Sequence, residues 1–166
     1  MDYKKYIREK ETKNRCDMTL LLGNHQVLNN LIKDMAKPFL SSRVKKVVAI
    51  EATGFIFGMG VAQELKAGLC LIRKPNKLAW DTKKTSFTDY TKEKKGFEIA
   101  SDAILPTENI LIVDDWSETG AQLKAAIFLV EQAKGNIVGI SCANIENRVK
   151  NDKMISKYKL NSVINY

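Results

Sequence analysis

The run Ile110-Leu111-Ile112-Val113-Asp114-Asp115-Trp116-Ser117-Glu118-Thr119-Gly120-Ala121-Gln122 constrains the fold of this chain more than any other stretch. Four consecutive apolar residues, three of them β-branched, predict a strand buried on both faces that ends at two carboxylates. Beyond Gly120 the apolar residues recur at Leu123, Ala126, Ile127 and Val130, the spacing of a helix face. A short polar turn therefore joins the carboxyl end of a strand to the amino end of a helix. In an open α/β sheet ligands sit at such junctions, because the helix start offers unpaired N–H groups and a positive dipole end to an anion. An Asp-Asp pair alone can be a strand stop and a turn cap. Beside Thr119, Gly120 and an amphipathic helix, it suits a phosphorylated sugar: it can hold ribose hydroxyls, or face a divalent cation carried by a diphosphate.

The remaining chain repeats the strand-helix rhythm. Leu28, Leu31, Ile32, Met35, Ala36 and Phe39 form a helical stripe from His25 onward, ended near Pro38. Val47–Ile50 reads as a first buried strand, a helix carries Val61, Ala62 and Leu65, and Leu69–Ile72 reads as the next strand. This is a right-handed parallel βαβ unit. A strand at 137–142 follows Gly135. The expected class is α/β, a doubly wound, mostly parallel sheet in a single domain covering 1–166. Residues 1–15 read as a helix or arm with little core of its own, and 1–45 as an amino-terminal arm, hood and first helix. Residues 73–108 break the rhythm: with Pro75, seven lysines and the alternating run Thr85–Tyr90, they predict an antiparallel excursion returning through Phe97–Ile99. An insertion of this length usually forms a binding loop or lid, although a plain surface hairpin fits the same pattern.

Composition narrows the function classes. No stretch is apolar for long enough to cross a membrane, and the charged amino terminus lacks a signal-peptide core, so a soluble cytoplasmic protein is expected. Cys16, Cys70 and Cys142 are odd in number and far apart, which predicts free thiols. A nucleophile activated by histidine would have to use His25, the only histidine, and nothing around it suggests that role. The net charge of +8 raises nucleic acid as a partner, but the lysines are dispersed and lack interleaved aromatics. A surface biased toward small anionic ligands is the preferred reading. The turn Glu51–Gly58 can cradle an anion on backbone N–H groups, or Gly54 and Gly58 can simply ease packing. Arg73, Lys74 and Lys77 put three cations just past a strand end.

The 110–122 run resembles the PRPP (phosphoribosyl diphosphate) signature of type I phosphoribosyltransferases, a hydrophobic strand followed by Asp-Asp-x-x-x-Thr-Gly. Val48–Gly58 and Leu71–Leu78 are similar to stretches of the adenine enzymes of that family, and the likeness runs from about residue 16 to the end. The resemblance implies transfer of a phosphoribosyl group from PRPP to a nucleobase, giving a nucleoside monophosphate and pyrophosphate. It implies magnesium carried by PRPP rather than bound directly by the protein, and a homodimer. It gives the ribose hydroxyls to Asp114 and Asp115 and the 5′-phosphate to Glu118, Thr119, Gly120, Ala121 and Gln122. Pyrophosphate falls to Ala52, Thr53 and Gly54 with Arg73, Lys74 and Lys77, and magnesium bridges diphosphate and ribose.

The departures fall at substrate-determining positions. Thr53 replaces an arginine of the pyrophosphate loop, Cys16 an arginine that frames adenine, and Ala121-Gln122 a Gly-Thr pair. Asp89-Tyr90 best matches the family's loop Glu-Tyr, one residue short, which makes Asp89 a candidate catalytic residue. Glu118 stands where the adenine enzymes carry Ala and the 6-oxopurine enzymes an Asp directed to the purine. Glu118 is therefore expected to contact or deprotonate the base, with Trp116 stacking on it or covering the ribose. The alternative is a solvent-facing Glu favoured by the helix dipole. The competing class is a PRPP- or nucleotide-binding regulator with little transferase activity, possibly binding nucleic acid.

Overall fold

The computed structural model describes residues 1–10, 15–88 and 93–164. A 3₁₀ turn at Tyr3–Tyr6 leads into β1 (Arg8–Lys10), which pairs antiparallel with β2 (Arg15–Asp17). Two helices follow, α1 (Thr19–Leu22) and α2 (His25–Ala36), then β3 (Lys46–Ile50), α3 (Gly54–Glu64) and β4 (Gly68–Ile72). An antiparallel hairpin of β5 (Thr82–Thr88) and β6 (Lys94–Ala100) precedes β7 (Asn109–Ser117) and α4 (Ala121–Gln132). The chain closes through β8 (Asn136–Ile145), α5 (Asn147–Lys150) and β9 (Leu160–Ser162).

The main sheet has the order β4-β3-β7-β8-β9 with every pairing parallel. Helices cover both of its faces, so β7 is apolar at every position from Ile110 to Val113 and all four residues are fully buried. Ile110 and Ile112 join the core under α4, and Leu111 and Val113 the core under α2 and α3. This is the doubly wound α/β architecture expected, and the 85–99 excursion is the antiparallel hairpin expected. No disulfide joins the three cysteines. Burial pushes the Cys70 thiol up to about 12, and Cys142 is raised by burial and by the negative charge of Asp114 and Asp115.

Two expectations need correction. The amino-terminal arm is not without core: Tyr3 and Ile7 are buried against α2, and the Tyr3 hydroxyl donates to Asp34 at 2.6 Å. Aromatic area, invisible to a charge-based reading of 1–15, pins it there. Nor does the central strand end at Asp114. It continues to Ser117, because β8 runs on beside it as far as Ile145, while pairing with β3 stops at Val113. The acidic pair thus stands where one neighbour leaves and the other remains, facing an open sheet edge.

Candidate active site

Two strand-to-helix junctions meet at that edge. The first is the turn from β3 to α3, with a cis peptide between Glu51 and Ala52. The second is the loop from β7 to α4. Gly54 joins them: a Cβ there would lie 2.8 Å from Asp114 Oδ1 and 3.3 Å from its Cα. Close backbone approach is therefore the reason for glycine at this position. Gly58, in contrast, serves packing, since a Cβ there would collide with Ala49 of β3.

Asp114 is buried. Its Oδ1 accepts from Asp115 N at 2.9 Å, whereas Oδ2 is the one buried side-chain oxygen or nitrogen without a partner among the described residues. Burial, followed by the neighbouring Asp115 charge, raises its pKa well above the usual carboxylate range. A buried acceptor lacking a donor is costly, so this oxygen is ready for a hydroxyl or cation. Asp115 is partly exposed, with Oδ1 accepting from Trp116 N at 2.8 Å. Trp116 and Cys16 are both partly buried against the core beneath α2 and α3, so they lie on one side of the site.

The loop into α4 turns at Gly120, whose φ of +76° is left-handed. A Cβ there would also come within 2.8 Å of Ile155 Cδ1. Gly120→Ala is therefore expected to cost about 1–3 kcal/mol in a denaturant melt, through the left-handed backbone and the clash together. Thr119 is exposed, and its Oγ1 accepts from Ala121 N at 3.4 Å. Glu118 does not stand free: Arg148 Nε donates to its carbonyl at 2.6 Å, and the Arg148 guanidinium lies 3.8 Å from its carboxylate. Arg148 comes from α5, and no feature of the sequence pairs it with Glu118.

The three cations past β4 separate in space. Arg73 Nε donates to Glu51 Oε2 at 3.0 Å, and its guanidinium stacks 5.7 Å from the Phe55 ring centre. Glu51 also accepts from Lys74 N at 2.8 Å. Burial opposes ionisation of Glu51, yet these bonds, with the Arg73 and Lys74 charges, hold it below its ordinary range. Arg73 is thus committed to a protein carboxylate. Lys77 is exposed and held through its backbone, with its N–H and that of Leu78 donating to Glu98 Oε1 at 2.8 and 2.9 Å. Lys74 alone of the three lines a cavity of about 380 Å³, which it shares with Glu51, Lys94, Lys95 and Gln122. A second cavity, of about 440 Å³, opens between the hairpin and α4, with Thr119, Ala121 and Lys124 in its wall. The expected catalytic residue Asp89 lies outside the described residues. Lys94, Lys95 and Glu98 were missed; only the hairpin register, with Lys94 opposite Thr88 and Lys95 opposite Phe87, brings them here.

The buried Asp114, the partly exposed Asp115, a helix start on either side and a cationic cavity thus stand together at one edge of the sheet. Residues 22–165 match the model of the phosphoribosyl transferase domain. The chain belongs to the phosphoribosyl transferase family. It is 36% identical over 151 residues to an adenine phosphoribosyltransferase of Rhodopirellula baltica, covering 90% of this chain and 72% of the relative. It is 35% identical over 150 residues to that of Clostridium perfringens, covering 90% and 87%. The crystal structure of the adenine phosphoribosyltransferase of Rhodothermus marinus superposes with a TM-score of 0.89 at 30% identity, covering 99% of this chain and 96% of that one. Membership in a phosphoribosyltransferase family with relatives of this kind supports an enzyme and does not favour the regulatory reading. No helix of the described residues is long and apolar enough to cross a membrane.

Proposed function

We infer that this chain transfers the 5-phosphoribosyl group of PRPP to a purine base, releasing pyrophosphate and a nucleoside monophosphate. The observation that carries the reading is the convergence on Asp114 of both strand-to-helix junctions, with an orphaned carboxyl oxygen between them. Asp114 and Asp115 hold the ribose hydroxyls. Residues 118–122 wrap the 5′-phosphate at the start of α4, where N–H groups and dipole favour it. Ala52, Thr53 and Gly54 offer backbone to pyrophosphate, together with Lys74. Arg73 contributes by fixing Glu51, and Lys77 by its field.

Magnesium fits this site as part of the substrate. Asp115, partly exposed, would be the carboxylate available to a diphosphate-bound ion, which when bound would supply neutralisation of leaving-group charge. Catalysis is then mainly positioning and charge stabilisation, without a protein nucleophile. The base lies beside Trp116 and Cys16. Glu118 accepts from it, while Arg148 fixes the Glu118 backbone and offsets a charge that would otherwise oppose the phosphate. Asp89, outside the described residues, keeps the catalytic role that its match to the family's loop implies. A cytoplasmic homodimer completes the proposal, supported by the apolar residues Ile56 and Met59 on α3, 46% and 56% exposed.

The test is pyrophosphate release from PRPP and magnesium with a panel of adenine, guanine, hypoxanthine and pyrimidine bases. Purine-dependent release is expected. Glu118→Ala should lower its kcat/KM by roughly ten- to a hundredfold, as loss of a proton acceptor does. PRPP binding without release for any base would remove the transferase reading.

A further inference from the structure

We propose that Lys94 of the hairpin is a pyrophosphate-binding residue, bringing to the leaving group a positive charge that the turn at Ala52, Thr53 and Gly54 lacks. The assignment rests on the transferase reading above. The turn is uncharged at Ala52, Thr53 and Gly54, and the nearest guanidinium, Arg73, is already paired with Glu51 at 3.0 Å. Yet the cavity beside this turn has three lysines among its lining residues, Lys74 from the loop past β4 and Lys94 and Lys95 from β6. Among the described residues Glu51 is the only carboxylate in that wall, and it is taken up by Arg73 Nε and Lys74 N. The cavity therefore carries positive charge that its own acid does not offset, the condition for holding a multivalent anion.

Geometry distinguishes Lys94 from Lys95. Successive residues of a strand face opposite ways, so Lys94 shares a face of β6 with Gly96 and Glu98. That face is covered by the cationic loop: Pro75 packs where a Gly96 Cβ would be, at 3.0 Å, and Glu98 accepts from Lys77 and Leu78. Lys95 alternates with Phe97 on the other face, and Glu93 lies 3.7 Å from its ammonium. Lys94 is exposed and lines the cavity together with Lys74 and Pro75. Its placement on the hairpin gives it a catalytic consequence. As the C1′–oxygen bond breaks, its electron pair passes to pyrophosphate; the base nitrogen bonds to C1′, and the base proton leaves to Glu118 or water. An ammonium donating to the departing oxygens stabilises the charge that grows there and is strongest when the hairpin lies over the substrate.

The decisive experiment is calorimetric binding of magnesium pyrophosphate, and separately of ribose 5-phosphate, to wild type, Lys94→Ala and Lys94→Arg, with base-dependent pyrophosphate release measured alongside. Lys94→Ala should weaken pyrophosphate by roughly tenfold or more, the effect of one charge-assisted hydrogen bond, and leave ribose 5-phosphate unchanged. Lys94→Arg should retain most of the affinity, and adding Thr53→Arg to Lys94→Ala should restore it from the turn. An unchanged melting temperature in Lys94→Ala shows that the change is local. Pyrophosphate affinity in Lys94→Ala within twofold of wild type, or parallel losses for both ligands, overturns the assignment. Lys94-dependent pyrophosphate binding in a wild type that releases none with any base would instead overturn the transferase reading and leave Lys94 in place.

Discussion

Asp114→Asn is expected to lower kcat/KM for PRPP by about a hundredfold or more, the scale of a lost hydrogen bond to a charged acceptor. The same substitution should raise stability at neutral pH. The activity loss follows from Oδ2, the partnerless oxygen at the meeting point of the two loops. An amide of the same shape presents a donor there, or turns its donor toward Asp115 N, which already donates to Oδ1 at 2.9 Å. The gain in stability follows from the raised pKa of the buried carboxyl. A group whose folded pKa exceeds its unfolded one contributes stability that is fully present below the unfolded value and lost as pH rises through the folded value. Wild type therefore carries a penalty that grows upward from about pH 4, which Asn never carries. Melting curves across pH should show the variant more stable at neutral pH by on the order of 1 kcal/mol, with the gap closing toward about pH 4. Unchanged PRPP affinity would remove Asp114 from the site, and a gap independent of pH would remove the buried-charge explanation.

The sheet was legible in the sequence because its signals are local. Ile110–Val113 and Val47–Ile50 are runs whose apolar character reflects burial on two faces, and the α2 stripe reflects burial on one. The acidic pair was legible for the same reason, since its strand, turn and helix are contiguous. Features set by chain crossings were not. Arg73 and Glu51 lie on different strand ends, and only the parallel register of β3 with β4, Ile50 opposite Ile72, makes them partners. Arg148 reaches Glu118 across 30 residues of sequence. β9, with the sequence Leu-Asn-Ser, is too short to show any alternation and forms because β8 offers it a parallel edge. Cationic residues near the site could thus be counted from the sequence, but which of them remained available to a ligand depended on pairings made elsewhere.

That division between available and committed charge is why Glu98 is the other position of large expected effect. It is a buried carboxylate on the hairpin that holds the cationic loop past β4: Oε1 accepts from the N–H groups of Lys77 and Leu78, and Oε2 lies 3.7 Å from the Lys84 ammonium. Its backbone closes the same connection, exchanging hydrogen bonds of 2.9 and 2.8 Å with Arg73. Glu98→Ala strands two backbone donors, while the exposed Lys84 ammonium turns to water, and should cost about 2–4 kcal/mol in a denaturant melt. Glu98→Gln keeps one acceptor and should cost about 1 kcal/mol. The two variants also separate structure from charge through pH. Burial opposes ionisation of Glu98, but the Leu78, Lys77 and Asn76 N–H groups and the Lys84 charge bring its pKa below the ordinary 4.5. Its stabilisation is therefore complete above that ordinary value and lost as pH falls through the lower folded value. Wild type should lose stability in that acid range and Glu98→Gln should not. Because Lys74 lines the proposed pyrophosphate cavity from this loop, both variants should raise KM for PRPP more than they lower kcat. A variant destabilised to the expected extent but with wild-type KM would show that the loop holds Lys74 in place through Glu51 alone.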